Sequence, residues 1–153
     1  MPGQTLSKNE RLKSYKRIRL LFAEGEKFRV SPLLVYYRFH RPFFKRVDGV
    51  VEGEDWVQVV DPVIQTNFLQ MGVSVSSRYF KRSVDRNLLK RRIRESYRKQ
   101  KAELKTMLEE KGLAMDLFLV YIEPHILSYQ EIDTAITEAL SKLIRRTASK
   151  TGA

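Results

Sequence analysis

Apolar and polar residues alternate along two stretches of the chain, and a third is almost continuously apolar. In VSPLLVYYRF (Val30 to Phe39), Leu33, Val35 and Tyr37 fall on one face. Leu34, Tyr36 and Arg38 fall on the other, and this period of two predicts a strand. Pro32 suits a strand start or an edge. LQMGVSVS (Leu69 to Ser76) repeats the pattern, with Met71, Val73 and Val75 on one side. Gly72, Ser74 and Ser76 on the other side leave room for something to approach. MDLFLVYI (Met115 to Ile122) is almost wholly apolar, which predicts a buried central strand.

Elsewhere the period is helical. Ser14 caps a helix through Glu24 with Tyr15, Ile18, Leu21 and Phe22 as its apolar face, and Gly25 stops it. A long helix runs from Ser83 as N-cap to about Lys111. Asp85 sits in its first turn, where a carboxylate suits the dipole, and Gly112 supplies a left-handed cap. At 1.5 Å per residue it is a rod of roughly 40 Å. Ser128 and Glu131 form a capping box that opens a last helix to about Arg146. Ile132, Ile136, Leu140, Leu143 and Ile144 line its core face. The order is α-β-β-α-β-α, an α/β (α+β) arrangement without internal repeats.

Residues 40–68 break this regularity. They hold Pro42, Gly49, Gly53 and Pro62 and an acidic patch from Asp48 to Asp55. They read as an excursion inserted between core strands, with DWVQVV (55–60) as a possible short strand paired to KRVDGVV (45–51). Residues 1–13 read as a basic, loosely held arm and 147–153 as a mobile tail. The 153 residues suit one domain with a sizeable core. No apolar stretch is long enough to span a bilayer, and the polar N-terminus is no secretory signal. The absence of cysteine removes disulfides and thiolate zinc sites and fits a reducing, cytoplasmic setting.

Charge changes the picture most. The chain carries a net +11, and residues 77–105 hold twelve Lys/Arg against three Asp/Glu. The segments 40–76 and 106–153 are each net negative. Such concentration is what a polyanion-binding surface needs, because each cation near a phosphate releases condensed counterions. On a helical wheel Leu89, Ile93, Tyr97, Leu104, Met107 and Leu108 fall within about 100°. Asn87, Lys90, Arg91, Arg94, Arg98, Lys101 and Lys105 share the neighbouring arc, while Arg92 and Lys99 lie on the far side. A solvated face mixes signs; this one does not, and like charges four apart cost a few tenths of a kcal/mol each. A membrane-surface helix fits less well, because the apolar stripe is needed for the core. Arg78, Tyr79, Phe80, Lys81 and Arg82 lead into the helix with aromatics among cations. Tyr36 has two readings, a platform for an unpaired base or a core filler.

The run Arg86-Asn87-Leu88-Leu89-Lys90-Arg91-Arg92-Ile93-Arg94-Glu95 resembles the signature of the bacterial ribonuclease P protein subunit, Arg-Asn-Arg-x-Lys-Arg-x-x-Arg-Glu. Met71 to Ser76 is similar to that family's strand leading into the helix. Arg11-Leu12 with the Ile18 to Phe22 helix resembles its opening, and Asp116 to Ile122 with the capped last helix its close. The resemblance implies a two-layer α/β sandwich, also the fold of a ribosomal-protein domain, with a left-handed βαβ crossover. It implies a monomeric subunit, one per catalytic RNA, that helps to remove the 5′ leader of precursor tRNA. Arg86, Asn87, Lys90, Arg91 and Arg94 would then contact the catalytic RNA. Arg78, Lys81 and Arg82 match the basic approach, and Arg98 extends the arc. Tyr36, with Arg38 on the same strand face, would hold the leader. Two departures stand out: Leu88 replaces the signature's second Arg, and the 40–68 excursion is longer than the family's usual connection. Ile18 stands where many members have Phe.

The side chains offer little for hydrolysis. His40 and His125 are isolated, and no Ser-His-Asp or Cys-His set can be assembled. Asp55 and Asp61 read as solvated loop carboxylates. The expected cofactor is Mg²⁺ held mainly by the partner RNA, the protein screening phosphate repulsion. A structural, ribosomal-type RNA binder is the alternative function.

Overall fold

The computed structural model describes residues 10–40 and 68–150. The expected arm residues 1–9, most of the excursion (41–67, with Trp56, Asp55, Asp61 and the DWVQVV run) and the last three tail residues lie outside the described residues.

Helix α1 (Tyr15–Glu24) begins where expected: the Ser14 hydroxyl accepts from the Arg17 amide at 3.3 Å. It ends at Gly25, whose backbone is extended rather than left-handed. Glycine is needed there for room, since a Cβ would stand 2.4 Å from the Leu21 carbonyl oxygen. Leu21 is buried, but Tyr15 and Phe22 of the expected apolar face are exposed.

The Val30 to Phe39 run is not one strand. It divides into β1 (Glu26–Val30) and β2 (Leu33–His40), an antiparallel hairpin turned by Ser31 and Pro32. Pro32 therefore sits in the turn, where its missing N–H costs no ladder bond. Sequence reading passes over β1 because Glu26, Lys27 and Arg29 hide its period, and charges of this kind are how an edge strand avoids foreign pairing. Strand β3 (Leu69–Val75) and β4 (Ala114–Tyr121) complete the sheet, in the order β1-β2-β4-β3. β4 pairs antiparallel with β2 and parallel with β3, in the centre, as its apolar run predicts.

The long helix is two: α2 (Ser83–Gln100) and α3 (Ala102–Lys111), separated at Lys101. The ladder resumes at once, with the Lys105 amide on the Lys101 carbonyl at 3.0 Å. Arg82, not Ser83, holds the N-cap position and caps only through its backbone. Gly112 is left-handed, φ 65°, and closes α3 as expected. α4 (Tyr129–Ala148) opens on the Ser128–Glu131 box and runs two residues past the expected end, so Thr147 is buried rather than part of a tail.

The outcome is an α+β sandwich. Leu33, Val35, Tyr37, Met71, Leu117 and Leu119 meet Leu89, Ile93, Tyr97, Ile136 and Leu143 in the main core. α1 lies across part of the sheet's other face, where Leu12, Leu21 and Phe118 form a second, smaller core. The ring of Phe118 fills the space that Gly72 leaves: a Cβ there would come within 2.6 Å of it.

Candidate nucleic-acid interface

α2 buries Leu89, Ile93, Ser96 and Tyr97 against the core, and this fixes where its cations point. Asn87, Arg91, Arg94 and Arg98 line one groove of about 780 Å³ together with Val84, Leu88 and Glu95. Arg11 of the arm lines it as well. The arm reaches the groove because Arg11 bridges Met71 on the free edge of β3, and the Leu12 amide donates to the Met71 carbonyl at 3.0 Å. Burial, with the Arg11 guanidinium second, holds Arg94 below the ordinary arginine value. Two like charges meet in a groove that one anion could occupy.

The remaining cations differ in their engagements. Arg86 donates to the carbonyls of Phe80 at 2.7 Å and Lys81 at 2.9 Å, so it ties down the loop that presents Arg78, Lys81 and Arg82. Those three are exposed, and the Arg78 guanidinium lies 6.0 Å from the centre of the exposed Tyr79 ring. Lys90 is half-buried beside the groove residues on α2. Arg98 pairs with Glu95, and a hydrogen bond from Arg98 holds the Glu95 carboxyl below its usual range. Arg92 donates to the Leu127 carbonyl at the entry to α4 and lines a smaller hollow beside the groove with Leu88, Arg91 and Glu95. Leu88 occupies the groove wall where the signature has its second Arg.

Lys101 departs from expectation. The wheel puts it on the cationic arc, yet it is buried and ion-paired with Glu10 of the arm. The arm is thus held at its end: Glu10 and Leu12 are both buried. A wheel registers charge but not a partner 91 positions away.

On the open sheet face Tyr36 is half-buried. Phe22 meets it edge-on at 4.6 Å and meets Phe118 at 5.1 Å. The Lys27 ammonium lies 5.9 Å from the centre of the Tyr36 ring. Arg38 shares the face of Tyr36 and is the direct register partner of Asp116 on β4. Its spacing predicts a core position for Phe22, which stands instead at this rim, 43% exposed. At the end of the same face Asp116 is buried on β4. It accepts from Arg17 Nε at 3.1 Å, and His40 Nε2 lies 3.1 Å from its other oxygen. Burial alone would raise this carboxyl, but hydrogen bonds from His40 and Arg17 outweigh it and hold it below the usual range. His40 is therefore no loop residue: it ends β2 inside this cluster. Among the described residues no three His, Asp or Glu side chains converge as a metal site. No helix among them is long and apolar enough to cross a membrane.

The model of the family described as Ribonuclease P matches residues 6–147. The chain belongs to the ribonuclease P protein family. The ribonuclease P protein components of two Porphyromonas gingivalis strains are each 28% identical to it. The first alignment spans 142 residues, 93% of this chain and 88% of the relative. A solved structure of the Staphylococcus aureus RNase P protein superposes with a TM-score of 0.54 at 18% identity, covering 87% of this chain and 94% of that one. A second S. aureus RNase P protein structure gives 0.53, with 92% and 93% covered. These structures share the fold. As a ribonuclease P protein the chain is a subunit of a tRNA-processing ribonucleoprotein with a partner RNA, and the ribosomal-type alternative is not favoured.

Proposed function

We propose that this subunit binds its catalytic RNA along the α2 groove and the 5′ leader of precursor tRNA on the open sheet face, one protein per RNA, in the cytoplasm. The observation that carries the reading is the gathering of Arg11, Asn87, Arg91, Arg94 and Arg98 on one groove. Four guanidiniums there offer planar forks suited to phosphate. The rim of Phe22, Tyr36 and Arg38 offers stacking and charge to a single strand. In this reading hydrolysis belongs to Mg²⁺ held by the RNA. The described side chains contribute no carboxylate cluster to such a site. Their part is to bind, to orient and to lower phosphate repulsion so that those ions bind at lower concentration.

The test is to purify the tagged protein and sequence the RNA that comes with it. One abundant, structured, non-ribosomal RNA is expected. When reconstituted with the protein and Mg²⁺, that RNA should cut precursor tRNA at the leader junction. Ribosomal RNA as the main companion would sink the reading.

A further inference from the structure

The Glu10–Lys101 pair joins two charges that are 5% and 1% exposed, across 91 positions of sequence. Burying such a pair contributes little net stability compared with an apolar pair of the same size, so its presence asks for another reason. Its surroundings supply one. Glu10 also lies 3.9 Å from Lys105, and its charge adds to burial in raising the fully buried Tyr97 hydroxyl, which has no hydrogen-bond partner among the described residues. The carboxylate is therefore enclosed by α2 and α3 at the very residue where the two helices meet. The next residue is Arg11, which lines the groove near enough to Arg94 for the two charges to act on each other. Arg11 and Arg94 also line a second cavity of about 300 Å³, with Gly72 and Phe118, that opens towards the sheet face. An acidic residue beside an RNA-facing arginine would oppose RNA binding if it were exposed. Buried against Lys101, it fixes the backbone and is neutralised.

We propose that Glu10 and Lys101 are positioning residues: their buried ion pair latches the N-terminal arm to the α2–α3 junction and so holds Arg11 in the groove beside Arg94, where the two guanidiniums take one RNA phosphate. This rests on the RNA-binding reading of the groove. The latch converts a residue of the arm into part of the rigid binding surface, and the ordering entropy of the arm is spent in folding rather than in RNA binding.

The sign of one substitution distinguishes the latch from simple charge. Removing a carboxylate from an RNA-binding protein should tighten RNA binding if only net charge matters. The latch requires the reverse for Glu10→Gln. Measured on the full chain with its catalytic RNA, Glu10→Gln should weaken binding. It should flatten the plot of log affinity against log salt by about 0.9, the share of one phosphate contact. Arg11→Ala should flatten it equally, and adding Glu10→Gln to Arg11→Ala should change nothing more. Glu10→Met with Lys101→Met leaves a matched apolar pair, so the arm stays docked and the slope returns towards that of the unaltered protein. Thermal unfolding of each variant identifies the folded ones, and the paired-methionine variant keeps the test open if Glu10→Gln fails to fold. Tighter or unchanged binding by folded Glu10→Gln overturns the latch. So does Lys101→Met that weakens binding as much in the Arg11→Ala background as alone, because Lys101 would then touch RNA itself. If the unaltered protein does not prefer the catalytic RNA over a ribosomal fragment of equal length, the functional reading fails separately. The same slopes on the ribosomal fragment then still decide the latch.

Discussion

Arg92 and Arg94 stand two positions apart on α2 and point to different neighbours. Arg94 lines the groove beside Arg11, while Arg92 is hydrogen-bonded to the Leu127 carbonyl. Arg94→Ala should therefore weaken catalytic-RNA binding more than Arg92→Ala, and Arg92→Ala should mainly lower the melting temperature. With about six phosphate contacts the intact protein should show a salt slope near −5, and Arg94→Ala should bring it about one unit closer to zero. Equal losses from both variants would mean that the groove is not the RNA face. Asp116 gives a residue-scale prediction of another kind. Its folded carboxyl titrates below the ordinary aspartate value, so it binds fewer protons folded than unfolded through that range. The stability it contributes is complete above about pH 4 and is lost as pH falls towards the lower folded value. Asp116→Asn should flatten this acid limb. At neutral pH it should cost about 3 kcal/mol, since Arg17 is left half-buried without its carboxylate. Denaturant titrations at several pH values check both statements.

The elements meet closely where the Phe118 ring crosses Gly72 of β3. Gly72→Ala places a Cβ within 2.7 Å of two ring atoms, and the ring lies between β3 and α1. The variant should lose about 1–3 kcal/mol in denaturant unfolding, the range for overpacked cores. Period alone gives β2, β3, β4, α1 and α4 nearly as they stand, because each buries one face or, for β4, both. It misses β1, whose charged residues hide its alternation, and it misses the break at Lys101, which no glycine or proline marks. The same limit applies to the site. Asn87, Arg91, Arg94 and Arg98 were legible because helical spacing puts them on one arc. Arg11, Glu10 and the loop-binding role of Arg86 were not, since each depends on a contact with a distant or non-periodic segment.

Across the whole molecule two unlike surfaces adjoin at Arg11: the cationic groove of α2 and the aromatic rim of α1 and the sheet. A substrate that spans both would be read by charge on one side and by stacking on the other. Tyr36 tests this division. Its ring packs edge-on against Phe22, and such a pair is worth about 0.5–1.5 kcal/mol beyond area. Tyr36→Ala should therefore lower stability modestly, not by the several kcal/mol of a deep cavity. If an unpaired leader base stacks there, the same variant should lose about 1–3 kcal/mol of precursor tRNA affinity. Mature tRNA has no leader, so its affinity should stay unchanged, as should affinity for the partner RNA, which the α2 groove is proposed to hold. Phe22→Ala should follow the same pattern, since it removes the other half of the rim. Precursor binding, mature tRNA binding and thermal unfolding measured on both variants separate the outcomes. Equal loss of precursor and mature tRNA would make this rim a packing feature of α1 and leave the leader to be held elsewhere.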